Sequence, residues 1–288
     1  MGTRQQNITK HAAARQAGKS LPSAAQSQLW TTSFSQPYSA DDITLQVFGK
    51  NSNDDKDALL PVIVYFHGGL FNCGLVEDAH AVAQVLASDA VVVCVDYPLA
   101  PQLHFPNTVE VAFEAVQWVW KHAPDIGADR ARITVAGDQA GGNLAAAVAM
   151  MARDRSSLPG CNARLQGQVL INPLLDSQQT TKSMVAAEDC PCRKAWVDYV
   201  PLASDAMHPY ASPVNSMRLG GLAPALIITG ELEPLRDEAE QYATKLIAAG
   251  VPVKMRRLQG VGGNLVDAAH PSFGVVTQTV AQFIADAA

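Results

Sequence analysis

Six residues, Gly137-Asp138-Gln139-Ala140-Gly141-Gly142, constrain this chain more than any other feature. They follow a strand-like run, Arg132 to Ala136, and open a helix-like run from Asn143 to Ala152. Small residues in that context allow a turn sharp enough to hold one side chain above the edge of a sheet. The side chain so presented is Gln139. A carboxamide has no hydroxyl or thiol for a base to activate, so it cannot be a hydrolytic nucleophile.

Around this turn, strand-like and helix-like segments alternate from residue 42 onward. Asp42 to Phe48 alternates polar and apolar as a half-buried outer strand does. Pro61 to Phe66, Val91 to Tyr97, Gln166 to Asn172, Ala223 to Thr229 and Val253 to Leu258 read as further strands. Helical spacing marks Asp78 to Asp89, Asn107 to His122, Pro234 to Ala249 and Pro271 to Ala285. Such alternation predicts an α/β fold with a mostly parallel sheet covered by helices on both faces. Ligands bind at the carboxyl ends of the strands in sheets of that kind. Residues 1–41, rich in Ser and Gln, and the irregular stretch 176–215 break the pattern. Both are expected to form a small cap over the site, leaving residues 42–288 as one domain with an insertion at about 176–215.

Length and composition exclude several classes. A chain of 288 residues with 48% hydrophobic residues can form one large domain with an ample core. A net charge of −6 leaves no basic stripe for phosphates, so no nucleic-acid partner is expected. The longest apolar runs are strand-sized, too short to span a bilayer. The first residues show neither the apolar core of a secretory signal nor the myristoylation pattern, which wants Ser or Thr where Gln6 stands. A cytoplasmic location is expected. Five cysteines argue against a disulfide framework, with Cys94 in a buried-strand pattern. Cys190 and Cys192 are too closely spaced for common zinc sites, so no metal or other cofactor is expected.

Four local signals fall at strand ends: His67-Gly68-Gly69-Leu70, the DYPLAPQLHFP run from Asp96 to Pro106, the GDQAGG turn, and Glu231 to Glu238 (ELEPLRDE). Each alone is weak; together and in this order they are specific. The chain resembles the hormone-sensitive-lipase-like branch of the α/β-hydrolases, the bacterial family IV carboxylesterases. HGGL is similar to that family's HGGG loop, DYPLAPQLHFP to its DYRLAPE-x-x-FP segment, and GDQAGG to its GDSAGG elbow. Pro209 to Pro213, GLAPALIITGELEPLRDEAEQYA and LIAAGVPV resemble further family segments, so the likeness covers roughly residues 42–286. It implies an α/β-hydrolase fold, short-chain ester hydrolysis as the ancestral reaction, and homodimerisation through the final strand and helix.

Carried over position by position, the resemblance puts Gln139 at the nucleophile position, Glu233 at the acid position and Gly263 at the histidine position. Glu for Asp is a tolerable exchange, since either carboxylate can orient an imidazole. The resemblance also implies an oxyanion hole from Gly68, Gly69 and the backbone of Ala140, expected to remain intact. Leu70, Phe71, Cys73 and His270 are candidates for the pocket wall. His270, misplaced for the family histidine, reads as a helix-start residue facing solvent, with a catalytic role as the alternative. Cys73 lacks a neighbour that would stabilise a thiolate. His67 and His104 read as packed motif residues, and Asp96 and Asp138 as turn-holding acids. Asp237 and Glu238 suit a helix N-terminus by their charge.

Three readings follow. The chain is a binder of a small carbonyl- or carboxylate-bearing molecule that has lost hydrolysis, as the family's plant gibberellin receptors have. Or it is an enzyme of carbon-acid chemistry, with Glu233 as base and a substrate C–H group in the space left by the absent imidazole. Or it is a serine carboxylesterase whose triad has been mutated or redesigned. The departures fall on the triad positions while the motif glycines stay intact, which points to retooling rather than decay.

Overall fold

The computed structural model describes residues 27–49 and 59–287. Its centre is an eight-stranded sheet in the order β1-β2-β4-β3-β5-β6-β7-β8. The strands are β1 Gln28–Phe34, β2 Ile43–Gly49, β3 Leu60–Phe66, β4 Val91–Asp96, β5 Ala128–Asp138, β6 Leu165–Ile171, β7 Ala225–Gly230 and β8 Val253–Leu258. β1 pairs antiparallel with β2, and β2 antiparallel with β4. Every pairing from β4 through β3, β5, β6 and β7 to β8 is parallel. The α/β class and the mostly parallel sheet expected from the alternation are therefore present.

The inner strands read as continuous apolar runs because both their faces are covered. Val62, Val64 and Phe66 of β3 face one helical layer, while Ile63 and Tyr65 face the other. The first layer holds α2 (Asn107–His122), α3 (Gln139–Asp154) and α6 (Arg236–Ala248). The second holds α1 (His80–Leu86) and α7 (Phe273–Asp286). Each fully buried Val, Leu, Ile or Phe contributes about 1.5–3 kcal/mol, so this double core dominates stability. α3 follows β5 at the middle of the sheet and is buried from Ala140 to Ala152. Its alanines let it pack close to the strands. The outer strand β8 carries Lys254, Arg256 and Arg257, charge that discourages edge-to-edge pairing.

One boundary differs from the sequence reading. Residues 28–34 were expected in a cap segment ending at 41; they form the edge strand β1 instead. Only Trp30 and Phe34 of β1 pack against the core, so its alternation is masked by Thr and Ser. Residues 35–41 follow β1 as turns and irregular backbone leading to β2, and residues 1–26 of the expected cap lie outside the described residues.

The 176–215 excursion contains two short helices, α4 (Lys182–Ala186) and α5 (Cys192–Tyr199), and 3-10 turns at Ala203–Asp205 and Pro213–Asn215. Several hydrogen bonds tie it to the rest of the domain, among them two groups near the carboxyl ends of the strands. Asn72 Nδ2 donates to Asp198 Oδ2 at 2.7 Å, and the Phe105 N–H donates to the Tyr199 carbonyl at 3.0 Å. At the other end, the Ser183 N–H donates to Asp237 Oδ2 at 2.9 Å and Ser183 Oγ to the Pro234 carbonyl at 2.7 Å.

Candidate functional site

The turn between β5 and α3 places Gln139 at φ +48°, in the left-handed region that non-glycine residues rarely adopt. Such a residue costs of order 1–3 kcal/mol unless its surroundings enforce it. Here they do. A side chain at Gly141 would overlap the Phe66 carbonyl, so the first turn of α3 lies directly against β3. The Gln139 carbonyl accepts from the Leu174 N–H at 3.1 Å, which ties the elbow to the segment after β6.

The Gln139 side chain is half-buried, and its Oε1 accepts the Gly69 N–H at 3.1 Å. The Gly69 carbonyl in turn accepts the Ala140 N–H at 3.2 Å. Two of the three donors expected to form an open oxyanion hole, the Gly69 and Ala140 N–H groups, are thus engaged within the chain. The expectation of an intact, available hole needs this correction: a side chain long enough to fold back has settled on a donor that a shorter one would leave free. Gln139 Nε2 has no partner among the described residues.

Beneath the elbow, Asp138 is fully enclosed and accepts from the Tyr65 hydroxyl at 2.9 Å. Burial pushes its carboxyl up to about 7, against the pull of the Tyr65 hydroxyl and backbone amides. It holds the turn, as the sequence suggests. His67 stacks on Tyr97 with ring centroids 4.3 Å apart, and its Nδ1 lies 2.8 Å from the Gly68 carbonyl. Burial lowers its pKa, so the ring is a packed neutral support. His104 is likewise structural, its Nδ1 2.9 Å from the Asp198 carbonyl.

The loops after β7 and β8 bring Glu233 and Gly263 together. Glu233 is 8% exposed, and its Oε2 accepts the Gly263 N–H at 2.7 Å. Burial raises its pKa and the Gly263 amide lowers it, with burial the larger effect. Asn172, at the end of β6 with φ +41°, links these loops. Its Oδ1 accepts the Gly230 N–H at 3.0 Å and its Nδ2 donates to the Gly263 carbonyl at 3.1 Å. Sequence reasoning missed Asn172, because nothing in its local pattern marks a bridge between two later loops. It also under-read Glu238, which is fully buried and accepts the Leu175 N–H at 2.8 Å rather than lying on a solvated helix start.

Gly263 is exposed and adopts φ +86°, and a Cβ built there meets no heavy atom within 4 Å. His270 is not turned out to solvent. Its Nδ1 accepts the Ser272 N–H at 3.1 Å, and its Nε2 lies 3.2 Å from the Gly262 carbonyl. Accepting through Nδ1 leaves Nε2 as the N–H donor, so both ring nitrogens are committed to backbone. Among the pocket candidates, Phe71 is buried and stacks on Tyr199 with centroids 3.9 Å apart and planes 4° apart. Leu70 is half-buried, and Cys73 is exposed. A cleft of about 810 Å³ is lined by Tyr38, Thr44, His67, Asn72, Asp96 and Leu99 among others. Gln139, Glu233 and Gly263 do not line it, so the cleft and the candidate chemistry are separate features. Asp96, expected to hold a turn, faces this cleft instead, and burial raises its pKa.

Among the described residues, no group of three or more His, Cys, Asp or Glu is arranged to hold a metal, and no helix is long and apolar enough to cross a membrane. Residues 63–265 match the family described as the alpha/beta hydrolase fold. Carboxylesterase NlhH of Mycobacterium tuberculosis is 37% identical over 209 residues, 68% of this chain and 63% of its own length. The chain thus spans less than two thirds of that relative. Among solved structures, a hyperthermophilic esterase from the archaeon Pyrobaculum calidifontis superposes with a TM-score of 0.81 at 35% identity, covering 92% of this chain and 86% of that one. The thermostable carboxylesterase EstE1, cloned from a metagenomic library, gives 0.79 at 34% identity, with 92% and 91% covered. With the sheet order, the elbow and these likenesses in agreement, the chain belongs to the α/β-hydrolase family, among its carboxylesterase-like members.

Proposed function

We propose that this chain binds a small carbonyl- or carboxylate-bearing molecule beneath the 176–215 excursion, acting as a cap, and that it has lost ester hydrolysis at Gln139 and Gly263. The observation that carries this reading is the seating of Gln139 Oε1 on the Gly69 N–H. The carboxamide blocks the backbone donor and offers its own Nε2 donors in exchange. A ligand oxygen would be held by Gln139 Nε2, with the elbow fixing the side chain. The esterase relatives support a small acyl-type ligand, since their printed names describe action on esters. Glu233, buried with a raised pKa, is suited to act as a base if the ligand carries an acidic C–H group.

A second reading is favoured by the same likenesses: a serine carboxylesterase scaffold whose triad has been altered in this chain. The relatives back it more directly than they back the first reading. Both readings require that a serine at 139 alone restores little, because no imidazole stands ready to activate it.

Calorimetric titration with acetate, butyrate and phenylacetate tests the binding reading. Saturable binding that weakens about tenfold in Gln139→Glu, where the donor becomes an acceptor, is the expected result, equivalent to about 1.4 kcal/mol. Absence of binding, or binding indifferent to Gln139, contradicts it.

A further inference from the structure

The cleft of about 810 Å³ has neither Gln139, Glu233 nor Gly263 in its wall, yet a buried imidazole lines it. His67 is only 1% exposed, and Tyr97 stacked on its face fixes the plane of the ring. Its Nδ1 lies 2.8 Å from the Gly68 carbonyl, which can only accept, so Nδ1 carries the ring proton. Burial keeps the ring neutral. Nε2 is therefore a bare acceptor, and among the described residues no donor meets it. The charge around it is of one sign. Asp41, Asp42 and Asp96 line the same cleft, and no Lys or Arg among the described residues does. Asp42 accepts from Ser35 Oγ at 2.6 Å, while the carboxylates of Asp41 and Asp96 have no donor among the described residues. Asp96, at the end of β4, is close enough to His67 for each to act on the other's charge. Ile43, Leu99 and Leu103 add an apolar wall.

We propose that this cleft binds a separate small molecule carrying a primary ammonium group on an apolar body, the ammonium donating to His67 Nε2 and to the Asp96 carboxylate. The site is distinct from the one around Gln139 and does not depend on hydrolysis having been lost there. Its volume lies within the roughly 300–1,000 Å³ of small-molecule sites. A carboxylate ligand would be repelled by the three aspartates. An alcohol brings a single donor and no charge. A quaternary ammonium brings charge but no N–H for Nε2. A metal ion lacks a ligand set, since no group of three or more His, Cys, Asp or Glu is arranged for one among the described residues. A primary ammonium supplies charge and several donors together.

The test titrates benzylammonium into the native chain near neutral pH, with the His67 ring nitrogens followed by ¹⁵N NMR. Saturable binding with a shift of Nε2 is expected, while Nδ1, held by the Gly68 carbonyl, moves less. Benzyl alcohol, without charge, and benzyltrimethylammonium, without N–H, are each expected to bind about tenfold more weakly or worse. Asp96→Asn is expected to weaken benzylammonium by a similar factor. The three ligands are compared on the native chain, so the test stands even where that variant disturbs the fold. Absence of saturable binding, an unmoved Nε2, or equal affinity for benzyltrimethylammonium overturns the site.

The chain has cations of its own that could supply the same chemistry. Residues 1–26 hold Arg4, Lys10, Arg15 and Lys19 and no acidic residue. A variant with all four replaced by Gln separates the two sources. Benzylammonium affinity unchanged from the native chain supports a site for a separate molecule. Affinity that rises about tenfold or more shows that the chain's own cations compete for the cleft, and overturns the proposal.

Discussion

Asp138 sits one residue before the elbow, and its enclosed carboxyl makes a prediction about pH. Its folded pKa, about 7, lies above the ordinary value of 3.8. The folded state therefore binds the proton more tightly than the unfolded chain does. That contribution is complete below the ordinary carboxylate range and is lost as pH rises through about 7. Asp138→Asn removes the titration, so the stability of the parent relative to the variant should fall between mildly acidic and neutral pH, by at most about 1.4 kcal/mol per pH unit. Thermal melts of both proteins across that range check this, and a constant difference refutes it. At this scale the identities of Gln139, Glu233 and Gly263 were legible, because each occupies a motif position that resemblance can index. Their hydrogen bonds were not. Whether Gln139 Oε1 reaches the Gly69 N–H depends on which way a loop carbonyl turns, and no residue pattern encodes that.

The loop after β3 and the helix α5 are joined mainly by aromatic packing. Phe71 stacks on Tyr199 and also meets Trp196, with centroids 5.0 Å apart. All three side chains are buried. Phe71→Ala should cost about 3–5 kcal/mol. Because the contact is the excursion's anchor near the site, the variant should also release α5 before the sheet unfolds. Hydrogen exchange of Cys192–Tyr199 reads this directly; exchange unchanged from the parent would show that the hydrogen bonds alone hold the excursion. The sequence marked 176–215 as irregular, but not where it would dock, since Phe71 and Tyr199 are far apart in the chain. β1 was missed for a different reason. An edge strand buries one partial face, so its signal is a weak alternation that Thr and Ser obscure. The inner strands, buried on both faces, were legible as apolar runs.

Across the whole molecule, the sheet order sets the elbow after β5 and the Glu233 and Gly263 loops after β7 and β8, with Asn172 after β6 spanning the gap. The scaffold shared with the esterase relatives is therefore in place around Gln139, Glu233 and Gly263, the positions at which we propose that hydrolysis was lost. Any residual acceleration of ester hydrolysis should not exceed about 10³–10⁴-fold over water, the level left when triad members are absent. It should be smaller still while Gln139 occupies the Gly69 donor. Restoring histidine at Gly263 meets its φ of +86°, which costs a side chain roughly 1–2 kcal/mol. A restored enzyme should consequently be slower than its relatives but active. The decisive measurement is hydrolysis of p-nitrophenyl acetate and butyrate by the purified chain beside Gln139→Ser/Gly263→His. A silent chain and a double variant that turns over would establish that hydrolysis was lost at these two positions. Brisk hydrolysis by the chain itself would contradict that, and would direct mutation to Cys73 and His270.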